Sequence, residues 1–115
     1  MKHLRRPTPP ETIQIGAHTY RVLRKPAKDM GDDNGRCYSD KLEIHLVKRL
    51  RFSRLQEFLF HEVMHAVASP ALAHTRPKTQ DEYEEVFVET LAGPLVQVLK
   101  DNPRLVEFLC WKEGV

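Results

Sequence analysis

The stretch RLQEFLFHEVMHAVAS, Arg54 to Ser69, constrains the fold of this chain most. Leu55, Phe58, Leu59, Glu62, Val63 and Ala66 recur in it at the three- and four-residue spacing of one helical face. Ser53 opens it with SRLQ, a pattern in which the serine hydroxyl takes an early backbone N–H while Gln56 reaches back to the cap. Ser69-Pro70 closes it, because proline disfavours helical geometry in the residue before it. A helix is predicted from near Arg54 to near Ser69. One acidic residue, Glu62, falls among the apolar positions of its face.

A second long helix follows a loop-like segment from Pro70 to Lys78. Thr79-Gln80-Asp81-Glu82 repeats the capping pattern ahead of an apolar-rich run to about Leu99, with Phe87, Leu91, Leu95 and Val98 as its main stripe. Gly93-Pro94 predicts a kink or break inside it. Asn102-Pro103 reads as cap and first residue of a short C-terminal helix through Leu105, Val106 and Leu109. Before the helices, TIQIGAHTYRVLRK alternates about Gly16 and predicts a β-hairpin, and Lys28 to Gly35 predicts a loop. In CYSDKLEIHL, Leu42, Ile44 and Leu46 alternate with Lys41, Glu43 and His45, predicting a third strand. The fold class is α+β: a small antiparallel or mixed sheet of about three strands on two long helices, plus a short C-terminal helix.

With 115 residues, 41% of them apolar, the chain can bury one modest core but not two. Residues 1–10, with three prolines, are expected to be a flexible tail and residues 11–115 a single domain. No window approaches the ~18 consecutive apolar residues of a membrane span, and MKHLRRPTPP lacks the apolar run of a signal peptide. Cys37 and Cys110 match neither a CxxC pattern nor dense secreted spacing, so a reducing, cytoplasmic location is expected. The net charge of +2 names no partner. Lys48, Arg49, Arg51 and Arg54 form a small basic cluster without aromatic interleaving, which reads as a solvated turn and helix start; nucleic acid is not an expected partner.

Within the first long helix lies HEVMH, His61 to His65. Residues four apart on a helix project about 40° from one another and one turn up, so both imidazoles can reach one tetrahedral ion. Glu62 is poorly aimed to be a ligand but well aimed to touch a water at the ion's exchangeable position. Chance predicts about 0.03 such matches in a chain of this composition, and the match falls where helical spacing gives it geometric meaning. His61 and His65 are therefore candidate zinc ligands and Glu62 the candidate general base.

Catalytic zinc keeps three protein ligands, so one more is needed. Candidates are His74 and the acidic cluster Asp81, Glu82, Glu84, Glu85 and Glu89. The metzincin pattern HExxHxxGxxH is excluded by Ala68 and Ala71. Glu85 and Glu89, one turn apart at a border of the apolar stripe, form a plausible pair: Glu85 on the ion, and Glu89 accepting from a ligand histidine to fix its tautomer. Glu84, nearer the middle of the stripe, is the reserve candidate.

The chain resembles a zincin metallopeptidase, more narrowly the small glutamate-zincins of the ImmA/IrrE type and related phage or prophage metallopeptidases. The resemblance covers most of the chain and rests on CYSDKLEIHL, on FLFHEVMHAVAS and on EEVFVETLAGPLVQVLKDNPRLVEFL. It implies a minimal zincin-like fold, His61, His65 and Glu85 as zinc ligands, and Glu62 as base. Glu89 stands where thermolysin-like enzymes place an aspartate. No matched residue supplies a transition-state donor; Tyr38, Tyr83 and His74 are candidates that read more simply as packing or surface residues.

The expected activity is zinc-dependent hydrolysis of peptide bonds, with Glu62 taking a proton from the attacking water and returning it to the leaving amine. By resemblance, an extended polypeptide substrate would pair with the strand through Leu42, Glu43 and Ile44. Selectivity at this minimal length would rest on loops or on a separate regulatory protein partner. Two rivals remain: a SprT-like DNA-associated protease with His74 as third ligand, and a non-catalytic, zinc-stabilised interaction module.

Overall fold

The computed structural model describes residues 5–73 and 75–114. It is α+β, with four helices and one four-stranded mixed sheet. β1 (Thr12–Ile15) and β2 (His18–Lys25) form the expected antiparallel hairpin, with Ile13 opposite Tyr20. Gly16 turns it at φ +60, backbone that a side chain disfavours. Ile13, Ile15 and Tyr20 are buried on one face, as their alternation predicts.

The sequence between the hairpin and the first long helix folds differently from expectation. The predicted loop holds one helical turn, α1 (Ala27–Met30), which buries Met30. The single strand expected over CYSDKLEIHL is two: β3 (Gly35–Tyr38) and β4 (Glu43–Val47) run antiparallel, joined through residues 39–42. Ser39-Asp40 start the reversal, and Leu42 completes it at φ +56, a conformation that leucine rarely adopts. β2 pairs with β4 in parallel, so the order is β1-β2-β4-β3 and β4 is interior.

α2 (Phe52–Ala71) starts one residue before the expected serine cap. Arg51 is its N-cap and makes no side-chain cap bond. Gln56 is used elsewhere: its amide donates to the carbonyls of Phe108 at 2.8 Å and Trp111 at 2.9 Å, closing the far end of α4 (Pro103–Cys110). α2 also carries Pro70 inside its last turn, where the proline forgoes the N–H bond back to Ala66 and the helix ends one residue later. α3 (Gln80–Asp101) opens with the expected reciprocal box between Thr79 and Glu82. It runs unbroken through Gly93-Pro94, because Leu91 before the proline and Val98 after it are anchored in the same core.

α2 lies across the sheet, and α3 and α4 close the core from its sides. Ile13, Ile44, Leu46, Leu59, Val63, Leu105 and Phe108 are fully buried there, and the Phe52 and Phe108 rings meet edge to face at 5.2 Å. Of the expected tail, residues 1–4 lie outside the described residues; Arg6 sits over the Phe52 ring at 4.8 Å and pairs with Glu113 at 2.7 Å. Among the described residues no helix is long and apolar enough to cross a membrane.

Candidate metal centre

The helical period of α2 distributes the HEVMH side chains. Leu59, Val63 and Ala66 face the sheet, and Glu62, between two of them, is drawn down with only 4% of its surface exposed. His61 and His65 rise on the shoulder of the helix, exposed to solvent, with Nε2 atoms 3.2 Å apart. Tetrahedral zinc with bonds of about 2.0–2.1 Å separates two ligand nitrogens by about 3.3 Å. The imidazole pair therefore stands at the spacing of two zinc ligands, and as a donor set it fits that ion. Glu62 Oε2 lies 3.9 Å from His61 Nε2.

Glu62 is roofed by the backbone of β3. A Cβ built on Gly35 would stand 2.9 Å from Glu62 Oε2, so only glycine permits the strand to come this close. Burial pushes the Glu62 carboxyl up, the positive ends of His61 and His65 pull it back, and Asp33 adds to the rise. Cys37, the next inward residue of β3, has its thiol pushed up by burial and then by the Glu62 charge. A polar cleft of about 460 Å³ runs along this junction, with Asp33, Arg36, Tyr38 and Ser39 on the strand side and Glu62, His65 and Ser69 on the helix side.

The outer edge of β3 faces this cleft unpaired. Val47 N–H donates to Asn34 O at 3.0 Å, and with Gly35 opposite Leu46 the ladder alternates so that residues 34, 36 and 38 bond to β4. The N–H and C=O of Gly35 and Cys37 then point outwards, without a partner among the described residues. The opposite edge is treated differently. By the same alternation Gln14 faces out of β1, and the Asn102 side chain covers it, its Oδ1 accepting from Gln14 N at 2.8 Å and its Nδ2 donating to Gln14 O at 2.7 Å. The strand expected to pair with substrate, Leu42 to Ile44, is not available: β4 already has β2 on one side and β3 on the other. The free edge beside Glu62 belongs to β3.

α3 does not bring Glu85 to the histidines. Among the described residues no three His, Cys, Asp or Glu side chains converge closely enough to hold an ion. Phe87 and Leu91 are the α3 residues that face His61 and His65, across a second cleft of about 490 Å³. Glu85, six residues before Leu91, projects about 120° away from it around the helix, whereas Glu84, seven before, projects within about 20°. Glu85 and Glu89 are both exposed, and the neighbouring Glu85 carboxyl pushes Glu89 up.

The remaining candidates are dispersed. His74 lies outside the described residues. Tyr38 lines the polar cleft, but its ring tilts against His45 at 4.7 Å and its hydroxyl accepts from Arg36 at 3.4 Å. Tyr83 is half-exposed and lines a separate cleft beyond Leu72 and Phe87. The sequence reading passed over Gly35, taken as a turn residue at the end of DDNG, and over Cys37 as an inward position beside the base. The signal was the alternation Gly35, Cys37 on one face against Arg36, Tyr38 on the other.

The chain matches no protein-family model, and no curated protein or solved structure is significantly similar to it.

Proposed function

We propose that the protein is a zinc-dependent metallopeptidase of the zincin type. The observation that carries this reading is the 3.2 Å spacing of His61 Nε2 and His65 Nε2 above a buried glutamate on the same helix. His61 and His65 would hold the ion, and a carboxylate from the first half of α3 would complete the protein ligands: Glu85 by resemblance, with Glu84 in reserve. Zinc, when bound, supplies Lewis acidity that polarises a scissile carbonyl and acidifies water.

Glu62 acts as general base. Burial beneath Gly35 raises its affinity for a proton, which suits a carboxylate that must accept one from the attacking water and pass it to the leaving nitrogen. Glu89, one turn beyond Glu85, would accept a hydrogen bond from a ligand histidine and fix its tautomer. The substrate is an extended polypeptide adding as a strand to the free edge of β3, where Gly35 and Cys37 offer N–H and C=O groups to its backbone. Arg36 and Asp33, bonded to each other at 2.7 Å, flank that path. The thiols of Cys37 and Cys110 are free, in keeping with work in the cytoplasm, on a phage or host regulatory protein by analogy with the family it resembles.

Zinc content and hydrolysis of unfolded casein, measured together on wild type, Glu62→Gln and His65→Ala, test the reading. Glu62→Gln should keep zinc and lose hydrolysis; His65→Ala should lose both. Wild type that binds no zinc, or Glu62→Gln that still cuts casein, would overturn it. Zinc bound without hydrolysis by wild type would favour an interaction module.

A further inference from the structure

We propose that the hollow under the turn between β1 and β2 binds a small neutral alcohol or phenol, a molecule of one substituted ring with an apolar body and a single hydroxyl. The hollow measures about 380 Å³, at the small end of the range of ligand pockets. It is bounded by Gly16 and Ala17 of the hairpin turn, by Ala66 and Ala71 of α2, and by Pro94 and Val98 of α3. These small side chains leave unfilled the space where the sheet and the two helices meet. His61 and His65 line none of it, and its α3 wall belongs to the half of that helix anchored by Leu91 and Val98. The site is thus separate from the candidate metal centre and does not depend on the peptidase reading.

Tyr20 marks the polar end of the site. It is only 4% exposed and lines the hollow. Its hydroxyl makes no hydrogen bond among the described residues, yet Arg24 Nε is the one side-chain polar atom among them that is both sealed from solvent and unpartnered. The Tyr20 hydroxyl is therefore reached from open space, and with the rest of the residue buried, that space is the hollow. A second polar group comes from α2. Pro70 has no N–H to give the Ala66 carbonyl four residues back, and both residues line the hollow. A hydroxyl can accept from Tyr20 and donate to a carbonyl at once, which neither a hydrocarbon nor a carboxylate does. No Lys, Arg, Asp or Glu among the described residues lines the hollow, so a charged molecule would lose water there without gaining a fixed opposite charge.

Benzyl alcohol, toluene and benzoate are probes of similar size that separate these contributions, each titrated into the 15N-labelled full chain at about pH 8. Benzyl alcohol should shift the amide signals of Gly16, Ala17 and Val98 saturably and leave that of Gly35, beside Glu62, still. Tyr20→Phe, which keeps the buried ring, should weaken benzyl alcohol about three- to tenfold and leave toluene binding unchanged. Benzoate should bind at least about tenfold more weakly than benzyl alcohol. The proposal is overturned by an absence of saturable shifts at the hairpin turn, or by benzoate binding as tightly as the alcohol. It is equally overturned if Tyr20→Phe weakens both neutral probes alike or neither. Zinc and hydrolysis do not enter the readout, so failure here leaves the peptidase reading intact.

Discussion

Gly35 lies against Glu62 so closely that a Cβ on the glycine would stand 2.9 Å from Glu62 Oε2 and 3.1 Å from its Cγ. Its backbone is ordinary strand, so the requirement here is space and not conformational freedom. Gly35→Ala should therefore cost about 1–3 kcal/mol, the usual penalty for forcing atoms into a packed interior. Shortening the neighbour by one methylene in Glu62→Asp should return part of that loss, which a double-mutant cycle by urea denaturation would read as coupling between the sites. Strictly additive penalties would show that the strand, and not the carboxylate, absorbs the new methyl. Hydrolysis by Gly35→Ala should fall with zinc content unchanged, since the displaced group is the base and not a ligand.

The first half of α3 is lightly packed: Tyr83, Phe87 and Val88 are each about half-exposed or more, while Leu91 and Val98 hold the second half in the core. Bringing Glu85 to a cation on His61 and His65 therefore requires this weakly held half of α3 to unwind and re-form, while Leu91 to Val98 keep the second half in place. Glu85→Ala is expected to weaken zinc binding at least about tenfold, and Glu84→Ala to leave it near wild type. Equilibrium dialysis against a chelator would measure both, and the opposite ranking would assign the ligand to Glu84. Hydrogen exchange over residues 80–90 should slow when zinc is added, and unchanged exchange would mean that the third ligand comes from elsewhere.

The helices and the placement of the HEVMH side chains on α2 were legible because both depend on local spacing. The period of 3.6 placed Glu62 on the buried face before any tertiary contact was known, and Thr79 with Glu82 form the box their spacing implies. Features decided by distant partners were not legible. Gln56 and Asn102 both occupy positions where a helix start expects a capping side chain, yet each is bonded to backbone far along the chain, Gln56 to Phe108 and Asn102 to Gln14. The reversal at Leu42 was hidden because Leu42, Ile44 and Leu46 keep a strand-like alternation although a turn precedes Glu43. Glu85 against Glu84 turned on how α3 rolls on α2, which helical wheel counting from one sequence does not fix.

Asn102 substitutes for a neighbouring strand at the outer edge of β1, and it also donates to Val98 O at 2.7 Å. Asn102→Ala should cost about 1–3 kcal/mol, since Gln14 and Val98 lose partners but can partly recover water. Asn102→Asp should cost more: the carboxylate still accepts from Gln14 N–H but faces the Gln14 and Val98 carbonyls with no hydrogen to offer. Thermal melts of the two variants at neutral pH would rank them. Asn102→Asp melting near wild type and above Asn102→Ala would mean that only the Gln14 N–H contact carries weight.

Glu43 joins two strands of the sheet through its charge. It accepts from His45 Nε2 at 2.9 Å and from Arg21 at 2.6 Å, and these bonds hold its carboxyl at about 2, well below the ordinary carboxylate range. Between that value and about 4.3, the unfolded chain binds more protons at this group than the folded chain does. Its stabilising contribution is thus complete above about pH 4.5 and fades as the pH falls towards about 2. Glu43→Gln should accordingly melt below wild type at pH 7, with the two melting curves converging as pH is lowered through that window. Because Arg21 is largely exposed, 0.5 M salt should also narrow the gap at pH 7. A difference that stays constant from pH 7 to pH 2.5 would mean that the side chain contributes by packing alone.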